Sequence, residues 1–316
     1  MGRGKPILRQ QEMQQVKSMR IAREYLGSAS AELPAWIGWI PLGVSVVGAT
    51  LTREAVEPWL FMWLMAFALW AGCKWLVLWR EVDRGGYADF RKILAFLFLW
   101  PGMNARTFLR ETGKAAPVKD WLAPLAKLFF GILLICLVAP HVSNDLLKGW
   151  TVMVALILVL HFGLFHLLAF AWQTRGINAE PLMRKPATAT SLADFWGRRW
   201  NTAFHQLVYE LIFKPAARLV GSRWALMTTF LLSGLTHELV ISVPARGGYG
   251  LPTAYFVVQG AGVLFESSPL GKKLNLRRGF CGWLFTALVT AAPVVILFPP
   301  PFIRNVILPM FQTLNH

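Results

Sequence analysis

Seven apolar stretches, separated by polar segments of alternating basic content, restrict what this chain can fold into. They lie at roughly 35–51, 58–79, 121–139, 150–172, 223–243, 251–266 and 281–299. About 20 apolar residues cross a ~30 Å hydrocarbon core as a helix, which satisfies its own backbone where no water can. The pattern predicts an all-α, polytopic membrane protein of about seven transmembrane helices. The first and sixth stretches are short for that thickness and should thin the bilayer or sit among longer neighbours. Lys and Arg outside the stretches are very unevenly placed. Segments 1–34, 80–120, 173–223 and 267–280 hold 26 of them, and the intervening loops with the tail after 299 hold four. This alternation puts the N-terminus in the cytoplasm and the C-terminus on the opposite side.

Composition removes several other classes. The chain is 55% hydrophobic and 15% charged, whereas soluble domains carry about 25% charged residues. Its net charge of +16 does not point to nucleic acid, because the basic residues sit in loops between apolar runs. There they act as an orientation signal and attract anionic membrane lipids. Cys73, Cys136 and Cys281 lie far apart, in or beside apolar runs. They show no metal-ligand spacing and read as buried structural thiols. No metal and no resident cofactor is expected. The polar, basic start lacks an apolar core and cleavage site, so no removable signal peptide is expected. The expected organisation is a cytoplasmic basic segment, 1–34, followed by one membrane-embedded domain, 35–316. Nothing in the sequence indicates an oligomeric state.

One apolar run is too short to cross. Ile93-Leu-Ala-Phe-Leu-Phe-Leu-Trp-Pro-Gly-Met103 is half a bilayer long and ends in a helix breaker. It reads as a re-entrant or interfacial segment, tolerated when packed on protein. Lys74 and Lys127 fall inside spans, as snorkelling side chains or polar interior contacts.

The most informative polar pair is His237-Glu238, inside the stretch 223–243. A charged group at membrane depth costs about 2.5–3.5 kcal/mol, so such a pair marks a functional site by default. Histidine titrates near neutrality, which suits it to moving a proton. A second pattern lies in the segment 173–223. Ser191-Leu-Ala-Asp194 reads as a helix N-cap. Asp194, Arg198, Asn201, His205 and Tyr209 then follow at spacings of four, three, four and four, which predicts one polar helix face. That face meets either interfacial water or a polar cavity inside the protein.

These residues carry a family resemblance. Asp194-Phe-Trp-Gly-Arg-Arg-Trp-Asn201 resembles the aromatic motif of membrane-bound O-acyltransferases, in the form found in plant-type wax synthases. His237-Glu-Leu-Val-Ile-Ser-Val-Pro-Ala-Arg246 is similar to the His-Glu block of the same family, and Gln259 follows in the next span. Phe96-Leu-Phe-Leu-Trp-Pro-Gly-Met103 also looks like a wax-synthase element. The resemblance is dense over residues 191–266 and rests elsewhere on hydropathy. Where other branches have an acid inside the motif, this chain has Arg198, so no role of that acid carries over. The chain is also shorter than sterol and diacylglycerol acyltransferases.

The resemblance implies transfer of a fatty acyl group from acyl-CoA to a lipid alcohol, with a long-chain alcohol giving a wax ester. His237 would act as general base and Asn201 would hold substrate or stabilise the developing oxyanion. Gln259, Trp200, His205, Glu238 and Arg198 are candidate substrate contacts. For Gln259 an inter-span hydrogen bond is the alternative, for His205 a satisfied interfacial histidine, and for Glu238 packing or orientation. The basic loops, with Arg175, Arg184, Lys185, Arg198 and Arg199, would admit the anionic CoA head. Diacylglycerol, sterol or saccharide acceptors stay open, and a transporter relaying protons through the His-Glu pair is the other class. His161 and His166, five apart, diverge by about 140° on an α-helix, which argues against a shared metal site.

Overall fold

The computed structural model describes residues 35–83 and 89–314, and both the basic segment 1–34 and His316 lie outside the described residues. Contacts divide the chain into two compact units, 1–40 and 41–316. The first unit contributes the 3-10 turn Ala35–Trp39. The described residues hold helices and no strand, with a single isolated bridge between Thr112 and Ile177.

The helices are α1 (Ile40–Leu51), α2 (Pro58–Val82), α3 (Phe90–Leu99), α4 (Ala105–Arg110), α5 (Val118–His141) and α6 (Asp145–Gln173). They continue as α7 (Thr202–Val208), α8 (Ser222–Ala245), α9 (Leu251–Ser267), α10 (Gly279–Leu297) and α11 (Leu308–Leu314). Five of them, α2, α5, α6, α8 and α10, are long and apolar enough to cross a membrane. The chain is an all-α, multi-pass membrane protein. The expected count of seven is not reached by length: α1 has 12 residues and α9 has 17. These are the two stretches that were already short in the sequence.

Helix starts follow local chemistry. The Asn144 side chain accepts from Leu147 N–H (3.0 Å) ahead of α6, and Asp89 accepts from Arg91 N–H (3.0 Å) at α3. Each satisfies an N–H group that the helix itself leaves without an acceptor. The half-length run is α3, and it is packed on protein as expected. Its last carbonyls receive donors from two long helices. Trp172 Nε1 donates to Leu99 O (3.2 Å), Trp70 Nε1 to Pro101 O (3.2 Å), and Lys74 Nζ to Gly102 O. Lys74 also lies 3.3 Å from the Phe96 ring centroid. It makes a polar interior contact rather than snorkelling to the interface.

Two helices frame the site. α8 and α9 approach so closely that a Cβ on Gly234 would lie 2.7 Å from Thr253 Cα. Glu238 of α8 accepts from both Thr253 N–H (3.0 Å) and Thr253 Oγ1–H (2.8 Å) of α9, locking the pair together. Behind them, the tail beyond residue 299 is helical core. Phe302, Ile303, Val306, Ile307, Met310 and Phe311 are buried there with Phe230, Tyr255 and Phe256. Of the cysteines, Cys73 is buried as expected, but Cys136 and Cys281 are exposed. On spanning helices an outward thiol can face lipid, so an apolar run does not by itself bury a cysteine.

Candidate active site

His237 sits on α8, eight residues before its end. Its Nδ1 lies 2.7 Å from Ser233 O, one turn earlier. A backbone carbonyl only accepts, so the neutral ring carries its proton on Nδ1 and leaves Nε2 with a bare lone pair. Among the described residues nothing hydrogen-bonds to Nε2. The ring packs on Phe256 of α9 with centroids 4.4 Å apart. The tautomer of this imidazole is set by its own helix.

The aromatic motif reaches the same place. Phe256 lies 5.6 Å from Trp196, and Trp196 lies 6.0 Å from Phe230. Trp196 Nε1 donates to Gln259 Oε1 (3.2 Å), while Gln259 Nε2 donates to Val289 O (2.8 Å). Gln259, wholly buried, therefore ties the motif and α10 to α9. Phe195 stacks on Trp200 at 5.5 Å, and Trp200 meets Phe162 of α6 at 6.4 Å. His237, Phe256, Trp196 and Gln259 are thus brought together. Sequence reasoning missed Phe256 and Trp196 as contacts; the aromatic spacing of the motif was the available signal.

The single polar helix face expected over 194–209 does not form. Ser191 Oγ accepts from Asp194 N–H (3.0 Å) as the N-cap pattern predicted, and a short turn Leu192–Asp194 leads into a π-helical turn Phe195–Arg199. Trp200 is then extended, and Asn201 takes the left-handed conformation, φ 44° and ψ 58°. Asn is among the few residues that tolerate this region. The break re-aims the chain into α7, so Asn201 is not in register with Asp194 and Arg198. Among the described residues its side-chain amide has no hydrogen-bond partner.

The other candidates point elsewhere. Glu238 Oε1 accepts from Thr253 and not from the neighbouring imidazole. His205 is exposed and stacks on Tyr209 at 6.0 Å. Arg198, 78% exposed, donates to Asp194 Oδ1 (2.9 Å), and Arg199 donates to the other carboxylate oxygen.

Those arginines line a cleft of about 970 Å³ between segments 184–199 and 272–278. Arg184, Arg198, Arg199, Lys272, Arg277 and Arg278 face it, with Asp194 as its one carboxylate. Guanidinium forks match phosphate oxygens in pairs, so the cleft has the charge and the donors to hold a polyanion. Arg175 and Lys185, expected here, are not part of it. Arg175 donates to Ala171 O (3.0 Å) and lies over Trp172 instead. His161 and His166 pack on different rings, His161 on Phe165 at 5.5 Å and His166 on Phe170 at 4.9 Å.

The multi-pass fold thus holds a part-buried imidazole between α8 and α9 and, between its basic loops, a cleft lined by cationic side chains. Residues 179–258, which carry both the aromatic motif and His237, match the membrane bound O-acyl transferase family. The chain is 31% identical over 145 residues to the probable long-chain-alcohol O-fatty-acyltransferase 7 of Arabidopsis thaliana, covering 41% of this chain and 42% of that protein. It is 32% identical over 146 residues to the long-chain-alcohol O-fatty-acyltransferase of Simmondsia chinensis, covering 42% of this chain and 41% of that protein. A 77-residue match, 36% identical, links it to acyl-CoA--sterol O-acyltransferase 1 of Arabidopsis thaliana, over 22% of each chain. The chain spans about two fifths of the length of the long-chain-alcohol relatives it matches.

Proposed function

We propose that this protein transfers a fatty acyl group from acyl-CoA to the hydroxyl of a long-chain alcohol, forming a wax ester. The observation that carries the proposal is the bare Nε2 of His237, held by Ser233 O and packed on Phe256. As the alcohol oxygen attacks the thioester carbonyl, Nε2 takes the hydroxyl proton. The tetrahedral intermediate then collapses, the ester remains, and the CoA thiolate leaves and takes up the proton. Asn201, with its free amide at a fixed left-handed turn, is the group to hold the developing oxyanion or the thioester. The names of the relatives support the alcohol acceptor.

The cationic cleft seats the anionic head of CoA. His237 lies 15 residues beyond Ser222, about 22 Å along α8 at 1.5 Å per residue. Such depth suits a donor whose thioester rides on a long arm while its phosphates stay outside the apolar zone. Both loops that build the cleft belong to the basic set of segments, which supports a cytoplasmic cleft and a cytoplasmic N-terminus. The match to a sterol acyltransferase keeps a sterol as the second acceptor to test. Against a proton relay through the His-Glu pair, the Glu238 oxygen Oε1 accepts from Thr253 and not from the imidazole.

The test offers purified protein labelled acyl-CoA with hexadecanol, diacylglycerol or a sterol in parallel and separates the neutral lipids. Wax ester is the expected product. Label only in triacylglycerol or sterol ester refutes the acceptor, and no transfer to any lipid alcohol refutes the reaction. Reporter fusions at 185 and 274 should read cytoplasmic, and those at 145 and 248 the far side.

A further inference from the structure

Glu266 is the only carboxylate on α9, and it is completely buried. It accepts two backbone hydrogen bonds, from Leu192 N–H (2.7 Å) and Ala193 N–H (3.0 Å). These groups open the turn after Ser191 and have no helical acceptor of their own. Seven positions earlier, two turns along the same face of α9, Gln259 accepts from Trp196. One helix face therefore grips the segment 192–196 at both ends. The same helix carries Phe256, against which His237 packs. The Glu266 oxygen that accepts from Ala193, Oε1, also lies 3.9 Å from Nε of Arg277, which lines the cationic cleft.

We propose that Glu266 is a positioning residue for the acyl transfer. It docks the motif segment 191–201 onto α9, fixing Trp196 and Asn201 relative to His237. It also ties the cleft that seats the donor head to the segment that handles its thioester. The proposal rests on the acyltransferase reading, but the docking itself is a separate physical claim. A charged carboxylate forms two strong bonds to backbone donors, and a glutamine in its place has one carbonyl oxygen to offer. Misplacing reacting groups by about 1 Å costs as much as 100-fold in rate, so even partial undocking is visible in turnover.

The experiment compares wild type, Glu266→Gln and Glu266→Ala by amide hydrogen exchange and steady-state kinetics, in the same detergent. In Glu266→Gln, exchange should rise in peptides covering 191–196 and stay unchanged in α2. Its kcat should fall about 10- to 100-fold while the KM for acyl-CoA stays close to wild type. Glu266→Ala should show a larger loss at the same peptides. Unchanged exchange at 191–196, faster exchange throughout the chain, or wild-type kcat with 191–196 deprotected would each overturn the proposal. If wild type transfers no acyl group, the acyltransferase reading fails on its own. The exchange at 191–196 then still decides whether Glu266 holds the segment.

Discussion

Replacing His237 with alanine separates chemistry from folding unusually well at this position. The imidazole makes one hydrogen bond, to Ser233 O, a carbonyl that also lies in the helical ladder of α8. Removing the ring thus orphans no backbone group. What is lost for stability is packing on Phe256, roughly 1–3 kcal/mol for a part-buried ring of this size. What is lost for the proposed catalysis is the bare Nε2 that would take the alcohol's proton. A general base contributes about 10²–10⁴-fold, which is about 3–5 kcal/mol of barrier at 1.36 kcal/mol per factor of ten. His237→Ala should therefore insert and purify as a monodisperse protein and lose at least about 100-fold in wax-ester formation. The assay is initial rate with labelled acyl-CoA and hexadecanol at saturating concentrations. A well-folded His237→Ala variant within tenfold of wild type would refute a base mechanism at this residue.

Three further outcomes follow from the geometry. Asn201→Gly keeps the left-handed turn and removes the amide, whereas Asn201→Ala also adds about 1–2 kcal/mol of backbone strain. The glycine variant should fold normally yet lose about 10²–10³-fold in kcat, and wild-type turnover would show that only the turn matters. Lys272→Ala with Arg278→Ala should raise the KM for acyl-CoA with little change in kcat, and the wild-type KM should rise with salt as the cleft is screened; a KM indifferent to both disconnects the cleft from the donor. Gly234→Val must push α8 from α9, because its Cβ has only 2.7 Å to Thr253 Cα. It should lower stability by about 1–3 kcal/mol in thermal unfolding and reduce turnover with it, and an unaltered unfolding midpoint would contradict the close packing.

Much of the fold was legible because hydrophobicity and breakers act locally. The five long helices, the Ser191 cap and the Pro101-Gly102 stop all follow from residues within a few positions of each other. The failures share a physical cause. Reading faces from a 3.6-residue period assumes an unbroken α-helix, and the segment 194–209 contains a π turn and a left-handed residue. Neither departure leaves a compositional trace. Of the candidate residues, His237, Asn201 and Gln259 were named from the motifs, and the structure brings His237 and Gln259 together through Phe256 and Trp196. The engagement of Glu238 by Thr253 was not, because it depends on how closely α8 and α9 approach at Gly234.

That closeness also explains how the labour is divided. A general base of the kind proposed for His237 would need a fixed tautomer and a fixed direction, and a closely packed helix pair can supply both. Ser233 O sets the proton on Nδ1, while the Glu238–Thr253 bonds hold α8 against α9. The motif has the opposite problem. It must leave helical geometry to present Trp200 and Asn201, so it cannot hold its own position through a backbone ladder. Side chains of α9 do this instead, Gln259 through the Trp196 indole and Glu266 through two backbone amides. Both polar groups are wholly buried, where an unmade hydrogen bond costs about 1–3 kcal/mol. The same burial that makes them costly to disturb makes α9 the common reference for the base on one side and the motif on the other.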